Sequence, residues 1–359
     1  MANGEFTPSQ LMELRLKAET SWTGTAFELS KTKNVEAAKA VLENQTAKFS
    51  GFDDPDKDHK IKVLWINSCG TEVEDCEDNC ALDEQELSTA MKEYKPDLCK
   101  KTGFAIDEEK LRTNEYNMEE LIVAGTTEQL GKLDEWLAQT TLAKLKTFAG
   151  VNAFPAPWTY DNPNKTTHIP NADWGLKAIP HILNQMTLNN MGDTYFLNNG
   201  SLFIDFYNAM INEGNLDGKG NATIIKQLKM YFDQINFGKA GLTDDLFAIN
   251  KNAVALKTVN RHHDIPRVIG GKVGQTRYTI KSPNLAGVKY DAYYELTCKT
   301  VGGKDHLFHT WRFVVNGLVA LNPTGCPITV NIGGTPTTVS QTGVLSYSNP
   351  GFPFETRSE

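Results

Sequence analysis

The chain has 359 residues, 40% of them hydrophobic and 22% charged, with a formal net charge of −8 and an isoelectric point of about 5.5. That length accommodates two or three compact units with sizeable cores, in the composition of a soluble globular protein. The acid excess argues against nucleic-acid binding by the protein as a whole, though not against one basic face, and no run approaches the ~18 apolar residues of a membrane span.

Residues 1–58 read as an irregular N-terminal arm without a secretory signal. Within it, Ser9 is placed to cap a short helix bearing Leu11, Leu14 and Leu16, and Asn34–Gln45 is an Ala-rich helical piece with Val35, Ala38, Val41 and Leu42 on one side. Residues 59–116 read as an extended hairpin loop. A β-patterned run, Lys60–Asn67, is followed by an acidic excursion and a second extended run, Gly103–Asp107. The excursion carries Glu72, Glu74, Asp75, Glu77, Asp78, Asp83, Glu84 and Glu86, with no basic residue between Gly70 and Met91. A charge run of this kind is usually a solvated loop.

Asn117-Met118-Glu119-Glu120 reads as a helix start, with a capping Asn and acids in the first turn. Leu130, Leu133, Leu137, Leu145 and Phe148 keep helical spacing to a stop near Gly150. The predicted rod is roughly 45 Å long. Gly125 and Gly131 each weaken it by about 1 kcal/mol relative to Ala. Three further helices are expected, over Ala172–Asn189, Ser201–Asn212 and Asn221–Ile235. Leu246–Ile249 reads as a buried strand and Ala253–Leu256 as another, separated by the turn Asn250-Lys251-Asn252. From Gly274 the pattern is β: Thr276–Ile280, then Tyr290–Cys298 hairpinned to Phe308–Val315 across Gly302-Gly303, then short strands at Ile328–Ile332, Thr337–Val339 and Gly343–Tyr347.

Cys69, Cys76, Cys80 and Cys99 are the main candidates for chemistry. Four thiolates can hold zinc, but the spacing lacks the short knuckles of a zinc ribbon or finger, and the surrounding acids raise thiol pKa values. A metal site, disulfides formed after release into an oxidising medium, and free thiols all stay open. Asp54-x-Asp56-x-Asp58 begins like a calcium loop but continues with His59 and Trp65 where the pattern wants Gly and Glu. His262 and His263 point to opposite faces of an extended segment. They read as surface or interface residues, as do His306 and His309. No phosphate-cradling loop or strained nucleophile elbow is present in the sequence. The sequence implies no cofactor.

In the order arm, protruding hairpin, long helix, helical middle and strand-rich end, the chain resembles the major capsid proteins of tailed bacteriophages, which have the Hong Kong-97-type shell fold. Phe104–Asn117 running into Glu119–Phe148 looks like a hairpin strand entering the spine helix. Leu246–Val254 looks like the central strand pair of the axial domain, and Tyr290–Cys298 with Phe308–Val315 like returning peripheral-domain strands. The cysteine-bearing acidic loop and the closing Thr-Gly-Val-Leu-Ser-Tyr resemble capsid proteins of phages infecting Bacteroidota. The resemblance implies an α+β fold divided into an arm (1–58), extended hairpin loop (59–116), spine helix with peripheral domain (117–170), axial domain (171–272), peripheral-domain strands (273–322) and a C-terminal extension (323–359).

The implied function is structural and non-enzymatic. The subunit would be made in a host bacterial cytoplasm and reside in the virion capsid. Copies would form hexamers and pentamers of an icosahedral shell around double-stranded DNA, which is contacted without sequence specificity. Portal, decoration and separately encoded scaffold proteins are the implied partners, with no membrane. A hairpin lacking its own core is stable only against a partner. Trp65 and Ile66 are therefore expected on its packing face, and Glu72, Glu74, Asp75, Glu77 and Asp78 at a tip that meets basic residues of a neighbour. The alternatives are an encapsulin-type nanocompartment shell and a hydrolase or metalloenzyme using Cys99 or the His262/His263 region.

Overall fold

The computed structural model describes residues 5–22, 34–50, 60–66, 89–111, 117–212, 222–225, 228–268, 275–323, 327–332 and 335–350. In chain order the elements are α1 (Pro8–Ser21), α2 (Glu36–Asn44), β1 (Lys48–Ser50), β2 (Ile61–Ile66), β3 (Thr89–Tyr94), β4 (Leu98–Asp107), α3 (Glu108–Leu111), α4 (Met118–Phe148), β5 (Thr159–Asp161), β6 (Thr166–His168), α5 (Ala178–Leu188), β7 (Thr194–Asn198), α6 (Phe203–Asn212), β8 (Ala222–Ile225), β9 (Leu228–Phe232) and α7 (Gln234–Lys239). The remainder is strand: β10 (Leu246–Asn250), β11 (Val254–Thr258), β12 (Arg267–Val268), β13 (Gln275–Lys281), β14 (Lys289–Val301), β15 (Lys304–Leu321), β16 (Pro327–Ile332), β17 (Thr335–Ser340) and β18 (Val344–Ser348). The fold is α+β, and no described helix is long and apolar enough to cross a membrane.

Helix α4 runs the expected course. The Asn117 side chain accepts from the Glu120 amide at 2.8 Å and the Glu120 carboxylate accepts from the Asn117 amide at 3.3 Å, a closed capping box. Its 31 residues span about 46 Å. Leu130, Leu133, Leu137, Leu142 and Leu145 bury one face in the main core, which Leu11, Leu14 and Ala18 of α1 and Ala37, Ala40 and Val41 of α2 share. Two helices of the segment expected to be an irregular arm are thus part of the body. Their apolar side chains find a partner in the same chain, along the flank of α4. Helix α1 is capped by Thr7 rather than Ser9.

Two sheets flank this core. One has the order β11-β15-β14-β13-β12, with β4 on the other edge of β15. The other has the order β5-β6-β18-β10-β7-β9-β8. Alternation divides the second sheet cleanly. Tyr195, Leu197, Tyr231, Phe247, Ile249 and Val344 face the α4 core. Phe196, Met230, Phe232, Leu246, Ala248, Leu345 and Tyr347 face a second core that includes Ile179 and Ile182 of α5 and Phe206 of α6.

The span 221–235, read as a helix, holds β8 and β9. Met230 and Phe232 face one core and Tyr231 the other, so the period is two and not 3.6. Strands β10 and β11 do not pair. Residues 250–253 carry the chain from one sheet to the other, where β10 pairs with β7 and β18 and β11 pairs with β15. Strand β4 is not the return arm of the hairpin. It pairs with β15 over ten residues, while β3 is the partner of β2. The hairpin of β14 and β15 across Gly302-Gly303 is as expected, with both glycines at positive φ. Strand β18, within the span read as a C-terminal extension, lies inside the seven-stranded sheet.

Glycine placement explains the close approach of β4. A Cβ on Gly103 would stand 2.3 Å from the Trp311 carbonyl oxygen, and one on Gly125 of α4 would stand 3.0 Å from the Phe104 ring, which stacks on Trp311. The helix-weakening Gly125 thus admits an aromatic layer between α4 and the sheet. Gly103→Ala should break the β4–β15 register locally and lower stability by about 1–3 kcal/mol, read by thermal unfolding.

Four buried aspartates bolt elements together without facing a cation at hydrogen-bond distance. Asp134 on α4 accepts from the Ser282 hydroxyl at 2.7 Å, the Asn284 amide at 2.8 Å and the Tyr290 hydroxyl. Asp233 accepts from the Ala37 amide at 2.9 Å, Asp245 from the Asn349 amide at 2.6 Å and Asp291 from the Arg261 amide at 3.0 Å. Burial pushes each of the four carboxyls up to about 6. The folded state therefore binds more protons than the unfolded chain between about pH 4 and 6, and stability falls as pH rises through that window. His262, lowered by burial to about 4, and His309, also lowered by burial, oppose this trend, but the four carboxyls outnumber the two imidazoles. Thermal unfolding should show a higher melting temperature at about pH 5 than at about pH 7.5, and Asp134→Asn should shrink that difference. An unchanged difference would remove Asp134 from the account.

Candidate interaction surface

Strand β15 presents two faces. Trp311, Phe313, Val315 and Val319 face α4. On the opposite face, Leu318 and Ala320 join Ala255 and Val259 in a small separate core with Ile61, Val63 and Trp65. Strands β1, β2 and β3 form a three-stranded sheet laid on this part of the body. Alternation along β2 buries Ile61, Val63 and Trp65 and leaves Lys62 and Leu64 half-exposed. Further anchors are the Tyr94 hydroxyl, which donates to the Leu321 carbonyl at 3.1 Å, and Lys257, which lies over the Phe49 ring.

This placement corrects one expectation. Trp65 is fully buried within its own chain, because the open face of β11 and β15 supplies the apolar surface that the hairpin root lacks. It is unavailable to a neighbour. Ile66 ends β2 in register with Thr89. Glu72, Glu74, Asp75, Glu77 and Asp78 lie outside the described residues, as do Cys69, Cys76 and Cys80.

Beyond the hairpin root the same face of the sheet lies open as a trough of about 780 Å³, lined by residues of β4, β13, β14 and β15. Lys101, Arg277 and Arg312 supply three cations against one carboxylate, Glu295. Arg277 lies over the Tyr293 ring at 5.5 Å, and His262 meets that ring edge-on at 5.0 Å. Glu295 accepts from Gln275 at 2.7 Å and pairs with Arg312 at 3.6 Å. Asp291 accepts from the Arg261 amide and so fixes the segment that carries His262. The result is a shallow basic surface with a tyrosine floor. Sequence pattern does not mark it, because Lys101 lies far along the chain from Arg277 and Arg312 and joins them only through the β4–β15 register, while Arg277 meets Arg312 across β14.

Cys99 and Cys298 are free and exposed. Cys99 sits opposite Asn316 and Cys298 opposite Leu307 along β15, which separates them by about 30 Å. No group of three potential metal-ligating side chains occurs among the described residues. Burial, followed by the nearby Arg277, lowers the His262 imidazole to about 4, so it is neutral at physiological pH. His309, expected at the surface, is buried. Its Nδ1 is 2.9 Å from the Tyr294 hydroxyl, and the Phe6 ring packs edge-on against both. Burial lowers its pKa as well. His306 pairs with Asp107 at 2.9 Å.

Trp65→Ala should cost about 3–5 kcal/mol and release β1–β3 from the body, seen as faster hydrogen exchange in β2. Lys62→Ala, which loses only an exposed pair with Glu93, should change stability by less than about 1 kcal/mol.

No family model matches the chain, and no curated protein does. Solved phage structures do match. The capsid of Ralstonia phage GP4 matches at 10% identity with a TM-score of 0.44, over 90% of this chain and 93% of that one. The capsid of cyanophage P-SCSP1u matches at 8% identity with a TM-score of 0.41, over 84% and 88%. A structure of Mycobacterium phage Cain matches at 9% identity with a TM-score of 0.39, over 98% and 100%. The chain is similar to phage capsid structures over most of its length.

Proposed function

We propose that the chain is the major subunit of an icosahedral capsid, a structural rather than catalytic protein whose copies assemble into hexamers and pentamers around double-stranded DNA. The observation that carries this reading is the pairing of two features at one face of one sheet. A hairpin root is fixed rigidly by Trp65, and the chain between β2 and β3 carries eight acidic residues and no basic one from residue 72 to 86. Beside that root lies the basic trough of Lys101, Arg277 and Arg312. Opposite charges carried on one chain favour head-to-tail contact between copies, which closes into rings when the rotation permits. In this reading Glu72, Glu74, Asp75, Glu77 and Asp78 of one copy meet the trough of the next, with Ile66 at the base of the contact. Portal, scaffold and decoration proteins and the packaged DNA complete the set of partners, and the mature location is the virion.

Sedimentation velocity tests this. The 39.8 kDa chain should run as capsomers or shells. The double change Arg277→Glu with Arg312→Glu should raise the concentration needed for assembly by about tenfold or more, consistent with the loss of close charge pairs. Salt near 1 M should weaken the wild-type contact, because the screening length falls to about 3 Å. A clean monomer at high concentration across salt conditions would refute the reading. Particles filled with protein cargo and free of nucleic acid would favour a nanocompartment instead.

A further inference from the structure

The excursion between β15 and β18 ends in a two-stranded hairpin, β16 and β17, which no other strand joins among the described residues. Its root is firm. The Asn322 amide donates to the Ala253 carbonyl at 2.8 Å, its side chain donates to the Asn252 carbonyl at 3.0 Å, and buried Gln341 donates to Asn189 at 3.1 Å. The hairpin itself is amphipathic. Ile328 and Val339 are cross-strand partners on one face and half-buried, whereas Pro327, Thr329, Thr338 and Ser340 are exposed. A lone two-stranded hairpin is marginal in water. From Phe313 to Phe354 the sequence has no Asp, Glu, Lys or Arg, so this edge lacks the charges that normally keep strands apart.

Register decides which edge is available. Ile332 pairs with Thr335 across a two-residue connection, so that pair carries the turn hydrogen bond. Alternation then makes Asn331–Pro336 and Thr329–Thr338 non-bonded pairs, whose backbone groups point away from the hairpin. On β17 the outward position nearest the tip is Pro336, which has no N–H to give. On β16 the proline of the outward set is Pro327, at the root, and the outward positions toward the tip, Thr329 and Asn331, both keep their N–H and C=O groups.

We infer that the outer edge of β16 pairs antiparallel with β16 of a second copy, about a twofold axis at residue 330, giving a four-stranded sheet across the contact. This inference rests on the reading that copies of the chain assemble. The partner is a second copy because the edge is complementary to itself. With residue 330 on the axis, Thr329 of each copy stands opposite Asn331 of the other, so the outward donors and acceptors of these two positions meet in bonded pairs. The same register sets Ile328 opposite Ile332 along the backbone. Two uncharged strands meet without repulsion, and a symmetric contact of this kind closes on itself.

Hydrogen exchange on the full chain, assembled against dissociated, tests the pairing. The Thr329 and Asn331 amides should slow by at least about tenfold on assembly while the Thr338 amide does not change. Thr329→Pro removes one outward donor and no bond inside the hairpin. It should raise the concentration needed for association by about tenfold, whereas Thr338→Pro on the opposite edge should not. Val330→Cys should form a disulfide between copies on mild oxidation, because non-bonded antiparallel partners have Cα atoms about 4.5 Å apart. The linkage would be identified by peptide mass. Assembly with unprotected Thr329 and Asn331 amides, or with no 330–330 link, overturns the pairing and leaves the shell reading standing. Protection that appears only on adding a different protein overturns it too. A chain that stays monomeric overturns both.

Discussion

Strand β15 gives apolar side chains to a core on each of its faces, and both faces are needed to hold the molecule together. One face gives Trp311, Phe313 and Val315 to the core under α4. The other gives Leu318 and Ala320 to the root of the hairpin. Because the two contacts share one strand, the position of α4 fixes the position of the hairpin root, and the β4 register fixes how much of the sheet face stays open. Gly103 and Gly125 are the spaces that this packing requires. The trough is what remains of the face once β1–β3 have covered the rest.

Charge is segregated on a frame with buried bolts. The interior carboxyls Asp134, Asp233, Asp245 and Asp291 are held by hydrogen bonds and pushed up to about 6 by burial. Such bonds fix geometry better than they add stability. At the end of α4, Lys146 reaches Asp244 at 2.6 Å and Thr166 at 2.7 Å, tying the long helix to the seven-stranded sheet.

Local signals in the sequence were legible and distant ones were not. The Asn117 cap and the leucine spacing defined α4 nearly to the residue, and Gly302-Gly303 marked the turn between β14 and β15, because a cap and a turn depend on neighbours within a few positions. Alternation in β2 was visible, but not that Trp65 would find Leu318 and Ala320, more than 250 residues away. The same limit concealed the partner of β4, which lies some 200 residues on, and the meeting of Lys101 with Arg277 and Arg312. In 221–235 the apolar residues fit a helical face as well as a strand buried on both sides. Only the two cores meeting at β9 separate those readings.

The most direct measurement is electron microscopy of the purified chain at a resolution that traces the backbone. The account requires closed assemblies in which the acidic residues from 72 to 86 of one copy lie against Lys101, Arg277 and Arg312 of another. Single copies, or assemblies in which that segment lies against its own chain and the trough faces solvent, would contradict it.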